Sequence, residues 1–221
     1  MRQVFQQELS EVQDRLVEIA ELVKVAITDA TAAFNESDLP MAEKVIEGDA
    51  KIDDLALSLD ELSIQILARQ QPVARDLRIV VSSLRMSASL ERMGDIAEHI
   101  ASLTRYRFPE RVVAKGLRGT FREMGELDIE IAGKLVELLK SQENDIADEI
   151  RDLDDKVDAL HLKVFGKVLD EAWGGTTADT VDATLASRYH ERFGDHAVSI
   201  SKKVKYLSTG DWVDQDNSLS R

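Results

Sequence analysis

Glu91-Arg92-Met93-Gly94-Asp95-Ile96-Ala97-Glu98-His99-Ile100 returns one hundred residues later as Glu191-Arg192-Phe193-Gly194-Asp195-His196-Ala197-Val198-Ser199-Ile200, with six of ten positions identical. An earlier stretch repeats at an offset of 105 (147 − 42). Ala42, Val45, Glu47, Asp49, Lys51, Ile52, Asp53 and Leu55 meet Ala147, Ile150, Asp152, Asp154, Lys156, Val157, Asp158 and Leu160. Two matches in the same order, with offsets differing by a short loop, identify two copies of one unit. The copies are residues 1–107 and 108–207, the second with the shorter loop before its last helix.

The repeated unit reads as three helices. Only three prolines interrupt the chain. Pro40, Pro72 and Pro109 each stand where a helix can begin, because proline lacks an N–H that has no intrahelical partner there anyway. Further breaks fall at Ser141-Gln142-Glu143-Asn144 and Trp173-Gly174-Gly175-Thr176-Thr177. Six segments result, each about thirty residues or about 45 Å of helix. No alternating strand and no Asn-Gly or Asp-Gly turn lies between them. Apolar residues recur at helical spacing: Val45, Ile52, Ala56, Leu59 and Ile66 in the second segment, Phe193, Ala197, Ile200, Val204 and Leu207 in the sixth. The third carries two seams, Leu77-Val81-Leu84-Ala88 and Met86-Leu90-Met93-Ala97-Ile100, which predicts a central position. The expected fold is all-α: six long antiparallel helices in two three-helix bundles. The tail, 208–221 with its Trp212, is expected to be frayed.

Composition narrows function. Forty-two acidic against 28 basic residues, a formal charge of −14, argue against nucleic acid and against anionic membranes as partners. No apolar run approaches the roughly 18 residues of a membrane span, and Met1-Arg2-Gln3-Val4-Phe5 lacks the apolar core of a secretory signal. Without cysteine there is no disulfide, thiolate zinc site or cysteine nucleophile. A cytoplasmic protein is expected.

What the duplication preserves, besides apolar residues, is carboxylates. Each copy has Asp-x-x-x-Asp in its second helix (Asp49/Asp53, Asp154/Asp158) and Glu-x-x-x-Asp in its third (Glu91/Asp95, Glu191/Asp195). Residues four apart share a helix face, so each pair sets two like charges side by side, at a cost of roughly 0.2–0.5 kcal/mol. About eight such pairs arise from composition alone, and a solvated face is the ordinary reading of any one. Recurrence in register changes that reading. Gly94 and Gly194 stand inside Glu-Arg-x-Gly-Asp, where glycine costs about 1 kcal/mol relative to alanine but clears space beside the carboxylates. Asp49 and Asp154 also fall on the apolar seam of the second helix of each copy, which solvation alone does not favour. Clustered oxygen donors suit Mg²⁺, Mn²⁺ or Fe, and a neighbouring imidazole extends the range to Zn²⁺. Glu98 and His196 are candidate supporting groups, and Arg92 and Arg192 candidate counter-charges. His99, His161 and His190 read first as surface or half-buried residues.

Catalytic alternatives find little support. A di-iron oxidase needs two Glu-x-x-His helices, and no histidine here has a glutamate three before it. Asp195-His196 reverses the His-Asp order of an HD phosphohydrolase, and no glycine-flanked nucleophile elbow is present. The chain reads as a non-enzyme, either metal-binding or a metal-free helical scaffold.

Gln71-Pro72-Val73-Ala74-Arg75-Asp76-Leu77-Arg78, Leu90-Glu91-Arg92-Met93-Gly94-Asp95 and Glu191-Arg192-Phe193-Gly194-Asp195-His196-Ala197 resemble the PhoU family of phosphate-uptake regulators across essentially residues 1–207. The resemblance implies a homodimer-forming negative regulator that couples the ATPase subunit of the phosphate ABC transporter to its sensor histidine kinase. It also implies iron, zinc or related ions held by Asp49, Asp53, Glu91 and Asp95 in one bundle and by Asp154, Asp158, Glu191 and Asp195 in the other. The second copy has Thr176-Thr177-Ala178-Asp179-Thr180 in place of Pro-Val-Ala-Arg-Asp, so the two copies are not expected to be equivalent toward partners. An accessory of a different phosphate transporter is the alternative within this resemblance.

Overall fold

A computed structural model describes residues 2–209. The described residues form six α-helices: α1 (Arg2–Glu36), α2 (Leu39–Gln70), α3 (Ala74–Arg107), α4 (Arg118–Ser141), α5 (Asn144–Val168) and α6 (Thr177–Thr209). No strand occurs among the described residues. Local chemistry explains most boundaries. Asp38 caps α2 by accepting from the Met41 N–H at 3.0 Å, with Pro40 in the first turn. The first helix of each copy ends on a residue with positive φ, Ser37 and Gln142, which turns the chain back on itself. Thr176 and Asp179 form a reciprocal cap on α6. The Thr176 N–H and hydroxyl donate to Asp179 Oδ2 at 2.8 and 2.7 Å, and the Asp179 N–H returns to Thr176 Oγ1 at 3.1 Å.

Pro109 is an exception, since no helix begins there. Residues 108–117 form an irregular link with one 3-10 turn at Lys115–Leu117, and α4 starts only at Arg118. Val112, Val113 and Leu117 are buried in the core, and this tertiary burial prevails over the local helix-start signal. At the other end, Ser208 and Thr209 continue α6 rather than opening the tail, and the Ser208 hydroxyl donates to Asn144 at 2.9 Å. Residues 210–221, with Trp212, lie outside the described residues.

The helices form two layers. α1 and α4 pair in one, and α2, α3, α6 and α5 lie side by side in the other, with α3 against α6 at the centre. Each copy is a three-helix bundle, yet a single apolar core runs through both. Phe34 of α1 packs on Phe121 of α4 and on the His190 ring of α6, and Arg107 at the end of α3 ion-pairs with Asp182 near the start of α6. The seams read in α2 and α6 are buried, apart from a half-buried Leu207. α3 is central, as expected, but not through its predicted second seam. Leu77 and Val81 are 40% and 37% exposed, and the additional buried surface is made by Ser82, Ser83 and Ser87. Small hydroxylated residues let helices approach closely, and a hydrophobic pattern does not reveal them. No described helix is long and apolar enough to cross a membrane.

The copies differ sharply at one core position. His190 Nδ1 lies 2.7 Å from Asp128 Oδ2, both fully buried, while the corresponding places in the first copy hold Val23 and Leu90. Burial raises the Asp128 carboxyl to about 6 against the pull of His190. Removing one member of such a pair strands the other. Asp128→Val should therefore cost about 3 kcal/mol, whereas Asp128→Val with His190→Leu, copying the first half, should recover most of it. Urea denaturation of the three proteins measures this, and equal losses for the single and double variants would contradict it.

Candidate metal centre

Each acidic cluster is built where the second helix of a copy crosses the third. Asp49 and Asp53, one turn apart on α2, face Asp95 of α3, and an oxygen from each lies within 4.8 Å of the others. Glycine makes the crossing possible. A Cβ on Gly94 would sit 3.0 Å from Asp49 Oδ1 and 3.1 Å from Ile52, and a Cβ on Gly194 would sit 2.1 Å from Asp154 Oδ1. The aspartate of one helix is thus laid directly against the backbone of the next.

The carboxylates of both clusters are crowded together and partly stripped of hydrogen-bond partners. Asp49 Oδ1, Asp154 Oδ1 and Glu191 Oε2 are buried without a hydrogen-bond partner. Burial first, then Asp53, Asp95, Glu98 and Glu91, push the Asp49 carboxyl up to about 6. Burial, then Asp158, Asp195, Asp155 and Glu191, push Asp154 up to about 7. Burial and neighbouring acids also raise Glu91, Asp158 and Glu191. A hard cation would satisfy the orphaned oxygens and cancel the repulsion at once, and an all-carboxylate donor set suits Mg²⁺, Mn²⁺ or Fe.

All eight predicted ligands therefore lie in two groups, but not equally close. Among the described residues, three oxygens converge only in the first copy. There Arg92 donates to Asp95 at 2.5 Å and lies 3.4 Å from Glu91, the counter-charge role read from the sequence. In the second copy Arg188, a residue the sequence did not single out, takes that part by pairing with Glu191. Its signal was available as an Arg three residues before the Glu. Arg192 lowers Glu191 only as a weaker, more distant positive charge. Glu98 adds a fifth acid to the first group and accepts from Ser102 at 2.7 Å. His196 lies toward α3 instead, where burial and then Arg192, with Arg92 and Lys203 beyond it, hold its imidazole below the usual value. His161 bonds Ser187 at 2.8 Å and His99 stacks on Tyr189. No imidazole joins the three-oxygen group.

The family model described as the PhoU domain matches residues 16–104 and 121–204, one match for each copy. The chain belongs to the PhoU family. It is 39% identical over 210 residues to the phosphate-specific transport system accessory protein PhoU homolog 2 of Mycobacterium tuberculosis, covering 95% of this chain and 99% of that one. Homolog 1 of Mycobacterium leprae is 37% identical, covering 98% and 97%. Among solved structures, PhoU from Pseudomonas aeruginosa superposes with a TM-score of 0.83 at 28% identity, over 94% of this chain and 100% of that one. The duplication, the six helices and the absence of strands among the described residues are thus those of the family.

Two outcomes follow from this geometry. Asp49 and Asp154 titrate above the ordinary carboxylate value of 3.8, so their protonated forms favour the folded chain. That contribution is complete below about pH 4 and is lost as pH rises through 6 to 7. Chelator-treated protein should melt lower at pH 8 than at pH 5, and Asp49→Asn with Asp154→Asn should reduce that difference by raising the melting temperature at pH 8. A double variant that melts lower than wild type at pH 8 would refute the assignment. Separately, Gly194→Ala should displace Asp154 and impair metal uptake by the second copy more than Gly94→Ala impairs the first, because the new Cβ meets its aspartate at 2.1 rather than 3.0 Å. Calorimetric metal titration of the two variants ranks them.

Proposed function

We propose that this chain is a cytoplasmic accessory protein of a phosphate-specific transport system. It restrains phosphate uptake and represses the phosphate-starvation response, coupling the transporter's ATPase subunit to a sensor histidine kinase. The observation that carries this reading is near-full-length similarity to proteins named phosphate-specific transport system accessory proteins, at 39% identity. Relatives named as accessory proteins support a regulatory, non-enzymatic role, and such a protein acts through contact. Long helical faces present the surface for it, and a homodimer is the assembly proposed.

Metal belongs to the same reading. Asp49, Asp53, Glu91 and Asp95 form one proposed site and Asp154, Asp158, Glu191 and Asp195 the other, with Glu98 supporting the first. Support comes from the orphaned buried oxygens and the raised carboxyls. Ligation requires the deprotonated acids, so binding releases protons and strengthens with rising pH. Within the proposed sites, Arg92 must loosen its hold on Asp95 when an ion enters, as must Arg188 on Glu191. A metal-free scaffold is the second reading, and the same two arginine pairs favour it, since they partly neutralise the acids without any ion.

Two measurements test the proposal. A deletion strain should keep its starvation genes on in high phosphate and take up phosphate without restraint, and protein isolated from phosphate-replete cells should carry the kinase or the ATPase subunit with it. Normal shut-off in the deletion strain, with neither partner recovered, would refute the regulatory role. Elemental analysis of protein purified without chelators separates the metal reading from the scaffold, and Glu91→Gln with Asp95→Asn should abolish metal in the first site while leaving the fold intact.

A further inference from the structure

Residues 77–90 of α3 and 196–209 of α6 contain no carboxylate, in a chain that has 42. They carry Arg78, Arg85, Lys202, Lys203 and Lys205 instead. The two stretches lie together because α3 and α6 pack antiparallel in a regular register. His99 stacks on Tyr189 at 5.3 Å, Arg92 lies near enough to His196 to act on it electrostatically, and Arg85 likewise to Lys203. Each pair is seven residues from the next on both helices, about 10.5 Å along the axis. Beyond the Arg85 rung, the Arg78 guanidinium lies over the Tyr206 ring at 5.9 Å.

Lys205 pairs with Asp148 of α5, but Arg78, Arg85, Lys202 and Lys203 form no ion pair among the described residues. Arg78 Nε is buried without an acceptor. Lys203 is half-buried with Ser199 Oγ and O as its acceptors, at 2.7 and 3.0 Å, and burial and then Arg85 and Lys202 hold its ammonium below the usual value. Leu77, Val81 and Arg85 follow one another at four-residue steps on the same face of α3, so two exposed apolar side chains border the cations.

We propose that this part of the α3–α6 groove, centred on Arg78, Arg85 and Lys203 with Leu77 and Val81 beside it, docks an amphipathic helix of a partner protein whose polar face is acidic. Length and width select that occupant. Residues 77–90 span about 20 Å of helix, more than a single small anion needs. Acids border this stretch on both sides, Asp60 of α2 beside Ser87 of α3 and Asp148 of α5 beside Lys205 of α6. A helix about 10–12 Å across fits between them, whereas a DNA duplex or a bilayer would overlie the acids as well. The inference rests on the reading that this chain acts by contacting other proteins, and it names the surface and the complementary chemistry.

The test uses the full chain and the variant Arg85→Glu with Lys203→Glu. The probe is a fluorescently labelled 18-residue helical peptide with leucine on one face and glutamate on the other. Wild type should bind it in a salt-sensitive manner, and the double variant should bind at least about tenfold more weakly with an unchanged circular dichroism spectrum. A lysine version of the peptide should prefer the double variant. Equal affinity of the glutamate peptide for both proteins would overturn the proposal. So would no binding, or preferential binding of duplex DNA or phosphatidylglycerol vesicles. Self-association lost in the double variant would assign the groove to a second copy and also overturn it. In cells, the double variant should derepress the starvation genes as deletion does, with its metal content unchanged. A deletion phenotype that the double variant does not share would remove the docking inference alone, whereas a silent deletion would remove the functional reading beneath it.

Discussion

An aspartate side chain pressed against the backbone of a neighbouring helix, with one oxygen out of reach of water and of any donor, sets the terms for the rest of this molecule. It occurs twice, as Asp49 on Gly94 and Asp154 on Gly194. A buried charge left in that state is costly, so the group must take a proton, find a cation or move. Helix packing denies it the room to move, since Ile52 and Val157 three residues on are buried in the core. Below about pH 6 to 7 a proton relieves this burial, and above that range a cation would do so.

Much of the fold was legible because its determinants are local and repeated. The duplication and the chain breaks placed the helices and the α2 and α6 seams, and the carboxylate spacing pointed to both clusters. What escaped the reading depends on tertiary context. Pro109 carries a helix-start signal, yet the link it opens is held by Val112, Val113 and Leu117 entering the core. The Leu77-Val81 seam has the right period but faces outward, and buried serines do the packing in its place. Arg188 takes the counter-charge role that the repeat suggested for Arg192, because which arginine reaches a glutamate is decided by side-chain direction rather than by position in a motif.

The two copies have diverged where their roles as packing partners differ. Val23 and Leu90 fill the first core with apolar atoms, and Asp128 with His190 fills the second with a hydrogen-bonded pair beside Phe34 and Phe121. The pair shares one hydrogen bond while Asp128 Oδ1 and His190 Nε2 are buried without partners, so sliding would forfeit the one contact that offsets its burial; this makes it a register pin between α4 and α6, while an apolar pair tolerates sliding. The half that carries the pin also has the less convergent acids.

Position in the layers has a mechanical corollary. α2 and α5 are the outermost helices, each packed mainly against two others, and each supplies one wall of an acidic cluster whose other wall belongs to the inner pair. An outer helix of this kind is the first to lift away when the protein breathes. An ion bridging the walls would therefore behave as a clasp on a hinged cover: filled, it would latch the outer helix down, and empty, its like charges would push the cover open. Occupancy would then be written into how often each flank of the molecule opens, so that a partner resting across the central groove would meet stiff edges or loose ones without touching the ion.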